Sequence, residues 1–264
     1  MNQIFIPGDI HSDPKRFSVK SFPAQKNMDK SDVVIIAGDF GLIWKESETG
    51  YENYWLEWLN NKPFTTLFVD GNHENFDRLY SYPTAQKFGG LVHEIHSSIF
   101  HLMRGEIYKI NGSKIFTFGG ARSHDIKGFA SQKELEKDYT AGILDQKDPA
   151  FQSKKKLLKQ QQKPYRINHK TWWKEEMPSF DEMQYALNNL EKHNNTVDFI
   201  ITHDAPSSDC LLLDRNIKIN PLNIFLEDVR VNCNYKHWYF GHHHKNRHIN
   251  SLETCVYDKI IQIT

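Results

Sequence analysis

Five short segments of this chain carry Asp, Asn or His directly after runs of apolar, β-prone residues. They read GDIHSD (8–13), AGDFG (37–41), DGNHE (70–74), THDAP (202–206) and GHHH (241–244). Groups that follow parallel strands meet at the carboxyl edge of a sheet, where α/β proteins bind their ligands. Carboxylates, an amide and neutral imidazoles are suitable ligands for divalent metal ions. The segments together predict a two-metal hydrolase, in which cations about 3.5–4 Å apart activate water and neutralise a phosphate ester.

Seven residues of these segments are candidate metal ligands. His242 and His244 are two positions apart, so both lie on the same side of an extended chain. Asp9 and His11 have the same spacing, and the carboxylate of Asp39 is placed to bridge two ions. Each segment alone is also compatible with a turn or a structural histidine, but their conjunction favours a metal centre. The candidates are Asp9, His11, Asp39, Asn72, His203, His242 and His244.

The elements that position these groups alternate between strand and helix in the first part of the chain. Residues 3–7, 32–37 and 65–69 are predicted strands, separated by a helix or loop crossover over 14–30 and a helix over 51–59. Such alternation predicts parallel strands with helical crossovers.

Shorter strands and a further helix follow in the remainder of the chain. Asn111-Gly112, between strands at 107–110 and 114–118, is a hairpin turn signal. Residues 183–192 have the apolar spacing of an amphipathic helix. Additional strands are predicted at 98–102, 106–110, 197–202 and 236–240 and within 253–263. Without an internal repeat or an obvious linker, one α/β domain over residues 1–264 with two packed sheets is the simplest interpretation.

Composition limits the compartment and the partners. The 264 residues are 39% hydrophobic and 25% charged, with 33 basic and 33 acidic residues, so the average charge favours no polyanionic partner. Three cysteines without CxxC spacing argue against a disulfide framework and a thiolate zinc site, and they predict a reducing cytoplasm. No apolar stretch reaches the roughly 18 residues of a membrane span, so no membrane partner is expected.

The segments resemble the pattern of the calcineurin-like metallophosphoesterase superfamily: D-x-H, GD, GNH[DE], a histidine and GHxH, here spread over residues 4–244. The resemblance implies a four-layer αββα sandwich with two mixed β-sheets and a metal site at the carboxyl ends of the strands. It also implies two divalent cations, with Mn expected ahead of Fe, Zn, Ni or Co. It divides the ligands into Asp9, His11 and His244 for the first metal, Asn72, His203 and His242 for the second, and Asp39 as the bridge.

His73 matches the catalytic histidine of that superfamily. The resemblance implies that a hydroxide bridging the two metals attacks phosphorus in line, while His73 donates a proton to the leaving group. The alternative role of His73 is to hydrogen-bond a metal-bound group without transferring a proton.

Two further segments bear on the substrate. GGARSHD (119–125) and WWKEEMPS (172–179) resemble a bacterial and phage-type subgroup of these phosphoesterases. Arg122 and Arg166 are candidate substrate-binding residues, and the alternative for Arg122 is an ordinary surface arginine. Leu42 stands where serine/threonine protein phosphatases of the superfamily have an aspartate before Arg-Gly, which counts against that activity.

A basic, partly helical insertion or flap is predicted at about residues 125–179. Residues 147–174 contain many lysines and a single acid, Asp148. Their lysines, together with Tyr165, Trp172 and Trp173, either bind a nucleotide or a nucleic-acid strand by charge and stacking or form a solvated flap with the tryptophans in the core.

The predicted function is metal-dependent hydrolysis of a phosphomonoester or phosphodiester, on a nucleotide or another small phosphate ester. A nuclease acting on DNA or RNA is the alternative. A non-catalytic metal-binding scaffold is less favoured, because all seven ligand positions and His73 are present.

Overall fold

Two β-sheets form the centre of the computed structural model, which describes residues 2–263. The first sheet contains β1 (Ile4–Pro7), β2 (Val33–Ile36), β3 (Thr65–Phe68), β4 (Thr84–Lys87), β5 (Gly90–His96), β6 (Ile99–Leu102) and β13 (Ile260–Gln262). The second contains β7 (Ile107–Ile110), β8 (Ser113–Phe118), β9 (Phe199–Thr202), β10 (His237–Phe240), β11 (Arg247–His248) and β12 (Glu253–Cys255). The helices are α1 (Gly50–Asn60), α2 (Phe76–Leu79), α3 (Gln132–Lys137), α4 (Phe151–Gln160), α5 (Phe180–Lys192), α6 (Ser207–Leu213) and α7 (Pro221–Asn232).

Both sheets are mixed, with parallel strands in the middle and antiparallel strands outside. The first has the order β13-β1-β2-β3-β6-β5-β4. Its four neighbouring strands β1, β2, β3 and β6 are parallel. The second has the order β11-β12-β10-β9-β8-β7, with β12, β10, β9 and β8 parallel. The closing region 253–263 supplies one strand to each sheet.

Alternation along the strands divides the apolar residues between three cores. Ile4 and Ile6 of β1 pack between the two sheets, together with Ile201 of β9. Phe5, which points the other way, packs with α1 on the outer face of the first sheet. Residues of α5, α6 and α7 cover the outer face of the second sheet. The resulting layers are helix, sheet, sheet and helix, so the predicted four-layer sandwich is confirmed.

Local turn chemistry explains several connections. Asn111 and Gly112 both have positive φ, 49° and 84°, as a two-residue hairpin turn between β7 and β8 requires. The crossover over 14–30 forms two short 3₁₀ turns, Pro14–Phe17 and Pro23–Asn27, each of which begins with proline. The hairpin β4–β5 was not predicted, because the half-exposed sequence of β4 lacks a buried apolar face.

The region 125–179 contains α3, α4 and a small apolar cluster of its own, and the flap boundaries remain a prediction. Trp173 belongs to the core on the outer face of the first sheet, and its Nε1 donates to Asp77 Oδ2 at 2.6 Å. Trp172 is also buried. The lysines of α4 are exposed, except for Lys155, which is half-buried. Among the described residues, no helix combines the length and hydropathy needed to cross a bilayer.

Candidate metal centre

The five segments that carry the candidate ligands follow neighbouring parallel strands. Three of them follow β1, β2 and β3 of the first sheet, and the other two follow β9 and β10 of the second sheet. Side chains from neighbouring segments come within contact distance of one another. The strand ends predicted from the sequence therefore meet at one edge of the sandwich.

Asp9, His11 and His244 form one cluster. Asp9 Oδ2 lies 3.1 Å from His244 Nε2 and 3.6 Å from His11 Nε2. The two Nε2 atoms are 2.9 Å apart. One ligand atom from each of the three residues is thus within reach of a single ion.

Asp39 lies between this cluster and His203. Its Oδ2 is 3.7 Å from His11 Nδ1, and its Oδ1 is 3.2 Å from His203 Nε2. The backbone N–H of His73 donates to the same Oδ1 at 2.8 Å. One carboxylate therefore faces ligands of both proposed sets, which is the arrangement that a bridging ligand needs.

His242 and Asn72 extend the site from His203. The rings of His203 and His242 are 5.0 Å apart. His242 Nε2 is 2.8 Å from His124 Nε2, and Asn72 Nδ2 donates to Ser123 Oγ at 3.3 Å. His124 and Ser123 were not predicted as site residues, although their segment, GGARSHD, follows β8 in the same way that the ligand segments follow their strands.

Three buried ligand atoms form no hydrogen bond of good geometry among residues 2–263: Asp9 Oδ2, Asn72 Oδ1 and His203 Nε2. Two of them lie close to other proposed ligands instead, Asp9 Oδ2 at 3.1 Å from His244 Nε2 and His203 Nε2 at 3.2 Å from Asp39 Oδ1. Buried polar atoms are rarely left unpaired. His203 Nδ1 donates to the carbonyl of Ala37 at 2.9 Å, so in the neutral ring the lone pair lies on Nε2, where a cation would bind. The oxygen and nitrogen donors thus fit divalent cations.

Four candidate ligands have left-handed backbone conformations, which are uncommon outside glycine. The φ angles are 45° at His11, 46° at Asp39, 61° at His242 and 50° at His244. Each such residue costs on the order of 1–3 kcal/mol, and strain of this kind concentrates at functional sites. The turns after the strands are therefore shaped to aim these side chains.

Glycine is required where backbone and ligands approach closely. A Cβ at Gly71 would lie 2.1 Å from Asp39 Oδ1, and a Cβ at Gly241 would lie 2.3 Å from Asp9 Oδ1. The glycines of the GN and GH segments thus leave room for the carboxylates.

The comparison with protein families agrees with this geometry. The family model described as calcineurin-like phosphoesterase matches residues 3–246 of the chain. The chain belongs to the calcineurin-like phosphoesterase family. This family comprises metal-dependent hydrolases of phosphate esters that use dinuclear divalent metal centres. No curated protein matches the chain significantly.

Burial and neighbouring charges set the protonation of this phosphoesterase before any cation binds. Burial opposes ionisation of Asp39, but His203 holds its pKa below the usual range. Burial also opposes protonation of His203, but Asp39 raises its pKa to about 10. Burial lowers the pKa of His242 to about 3, so its ring is neutral at pH 7, the form in which imidazole binds metals. Two cations would displace the proton that His203 carries beside Asp39.

His73 lies at the edge of the ligand cluster. Its ring packs edge-on against His11 with centroids 4.8 Å apart, and it stacks on Trp44 at 5.5 Å. Burial lowers the pKa of His73, against the opposing effect of Asp39. The stacked indole fixes the ring beside the ligands.

The two candidate substrate-binding arginines of this phosphoesterase differ in surroundings. Arg122 lines a cleft of about 600 Å³ together with His242 and Lys127, and its guanidinium lies 4.3 Å from the centre of the Tyr139 ring. Arg166 instead donates from Nε to Asp125 Oδ1 at 2.8 Å and from Nη1 to a carbonyl. Arg122 therefore faces the open cleft, whereas Arg166 is held by a protein carboxylate.

Proposed function

We propose that this chain is a dinuclear phosphoesterase in which Asp9, His11 and His244 hold one cation, Asn72, His203 and His242 hold the other, and Asp39 bridges them. The observation that carries the proposal is the convergence of buried ligand atoms: Asp9 Oδ2 lies 3.1 Å from His244 Nε2, His203 Nε2 lies 3.2 Å from Asp39 Oδ1, and Asn72 Oδ1 has no hydrogen-bond partner among the described residues. We propose Mn as the preferred ion, ahead of Fe, Zn, Ni or Co. Such a pair of bound cations lowers the pKa of water and neutralises phosphoryl oxygens.

The side chains around the ligands supply the remaining chemistry. His73 donates a proton to the leaving oxygen, and Trp44 keeps its ring oriented by stacking. Arg122 binds a phosphate oxygen from the cleft beside His242, and its contact with Tyr139 holds the guanidinium in place. Arg166 acts near His73, where its charge lowers the pKa of that histidine after the larger effect of burial.

The substrate we propose is a nucleotide or another small phosphate ester. Lys127, Lys218 and Lys245 line the cleft with Arg122, and so does Tyr139 of the segment 125–179, which supports a role for this segment as a flap. Trp172 and Trp173 are buried, so their rings are not available to stack on a nucleic-acid strand. The unpaired, buried cysteines support a reducing, cytoplasmic location.

A panel of substrates on Mn-loaded protein tests this function. Aryl phosphate monoesters and diesters, nucleotides, and single-stranded DNA and RNA are compared by kcat/KM. Asp9→Ala and His242→Ala are expected to lower turnover of every substrate at least about 1,000-fold, since each removes a proposed ligand. His96→Ala is the matched control, because it removes a half-buried histidine that pairs with Glu57, and Glu57 is not one of the proposed ligands.

The outcomes separate the alternatives. Turnover near the wild-type level in both ligand variants would contradict the metal proposal. A preference for single strands that falls on neutralising Lys154, Lys155 and Lys156, and that weakens with salt, would favour the nuclease. Two bound cations without turnover of any substrate would favour a scaffold.

A further inference from the structure

A buried chain of hydrogen bonds connects Glu176 with the proposed ligand Asn72. The hydroxyl of Ser123 donates to Glu176 Oε2 at 2.6 Å, and the backbone N–H of Ser123 donates to Glu176 Oε1 at 3.0 Å. Asn72 Nδ2 then donates to Ser123 Oγ at 3.3 Å. All three residues are at least nine-tenths buried.

The direction of these bonds decides which end of the Asn72 amide is free. When Glu176 is ionised, the Ser123 hydroxyl gives its proton to the carboxylate and offers only lone pairs to Asn72, and only the NH₂ end of the amide can use them. The amide oxygen is left buried and, among the described residues, without a partner. That oxygen is the only neutral oxygen donor among the proposed ligands.

The backbone keeps this chain in place. The N–H of Ala121 donates to the carbonyl of Glu176 at 3.0 Å. A Cβ at Gly120 would lie 2.8 Å from that same carbonyl oxygen. Glycine at this position therefore allows the backbone of segment 119–125 to approach the backbone at Glu176. The GGARSHD and WWKEEMPS segments are thereby joined directly behind Asn72.

We propose that Ser123 and Glu176 are positioning residues that hold the Asn72 amide with Oδ1 toward the second cation. The proposal rests on the proposed metal centre. In it, the GGARSHD segment supplies Ser123 and the WWKEEMPS segment supplies Glu176, and both orient Asn72. Groups that hydrogen-bond to a metal ligand commonly change metal affinity by about 10–100-fold. We therefore expect Ser123→Ala and Glu176→Gln to weaken the second cation, while the first is held as before.

Titration calorimetry with Mn on the full chain measures both sites, and the spin coupling between two Mn ions in electron paramagnetic resonance reports on their pairing. In each variant we expect the second dissociation constant to rise about 10–100-fold, the coupled signal to require more Mn, and turnover to recover when Mn is raised. Ser131→Ala is the matched control, because Ser131 forms a similar 2.6 Å bond to Glu134 in the exposed cap of α3.

Asn72→Asp provides the sharper test. A carboxylate has two equivalent oxygens, so either one can bind the cation and no neighbouring residue has to orient the group. Ser123→Ala should weaken the second cation in the wild-type background but change it less than about threefold in the Asn72→Asp background. Equal losses in the two backgrounds, or no loss in the wild type, would overturn the positioning role. A wild-type chain that binds fewer than two cations would instead refute the proposed metal centre itself. Urea unfolding of each variant separates loss of the cation from loss of the fold.

Discussion

At the residue scale, the candidate centre leaves no room for an additional methyl group. Gly71 lies between Asp39 and His203, and a Cβ there would meet Asp39 Oδ1 at 2.1 Å and His203 Nε2 at 2.7 Å. Gly71 does not have a positive φ. Crowding against the ligands, rather than backbone strain, is therefore what a side chain would add.

Gly71→Ala should reduce Mn-dependent turnover by about 100-fold, because a displacement of about 1 Å at reacting groups costs that much. Gly50→Ala is the control, since nothing lies within 4 Å of its Cβ position at the start of α1. The Gly50 variant should keep full turnover and gain about 0.4–1 kcal/mol in stability. Wild-type turnover in Gly71→Ala at saturating Mn would contradict the crowding argument.

The residues that support the ligands from distant segments could not be predicted from the sequence. Asp39 and Asn72 stand out because each lies in the turn that follows a predicted strand. Glu176 reaches Ser123 across 53 positions, and Glu74 accepts from the N–H of Phe40 at 2.8 Å across 34 positions. Neither contact follows from local spacing, since only the packed sheets bring the partners together.

At the element scale, one buried ion pair joins the first sheet to the WWKEEMPS segment. Arg104, just after β6, donates from Nε to Asp70 Oδ2 at 3.0 Å and from Nη2 to the carbonyl of Glu175 at 2.7 Å. His101 Nε2 lies 3.1 Å from the other oxygen of Asp70. Although burial raises it, the pKa of Asp70 is held below its usual range by Arg104 and His101.

Arg104→Met should lower the free energy of unfolding by about 3–5 kcal/mol, because it leaves the carboxylate of Asp70 buried without its main partner. Urea denaturation measures the loss. Lys154→Ala, which removes the exposed pair with Asp148, should cost no more than about 1 kcal/mol. If the two variants lose the same amount, Asp70 does not depend on its buried partner.

The same scale shows why strands were easier to predict than their neighbours. β2 is a continuous apolar run and β3 reads TTLF, β-branched and then apolar, and the structure places both within one residue of the predicted ends. α7 begins with a capping box at Asn220 and with Pro221, and these local signals mark its start, although no helix is predicted there from apolar spacing. β4 lacks apolar alternation, and although Gly89-Gly90 marks a turn after it, only its pairing with β5 defines it as a strand.

At the scale of the whole molecule, the pH dependence of stability comes from groups whose pKa changes on folding, and Asp209 is one of them. Asp209 of α6 is 2% exposed, and its Oδ2 has no hydrogen-bond partner among the described residues. Burial, with a further contribution from Glu253, raises the pKa of Asp209 to about 7, and Arg230 opposes the shift. The folded protein therefore binds a proton at this carboxyl more tightly than the unfolded chain does.

The raised pKa of Asp209 predicts how stability changes in the Asp209→Asn variant. A carboxyl whose pKa is raised on folding contributes stability that is complete below its unfolded pKa, near 3.8, and is lost as the pH rises through about 7. The variant should therefore be more stable than the wild type by roughly 1–3 kcal/mol at pH 8.5, the usual cost of a buried group without a partner, and this difference should shrink steadily as the pH falls toward 4. Urea denaturation across this pH range measures the difference, in which other titrating groups cancel. Asp228→Asn, on the exposed side of α7, is the control, and its difference from the wild type in free energy of unfolding should not change with pH. The same result for Asp209→Asn would mean that the carboxylate of Asp209 is solvated in the folded protein.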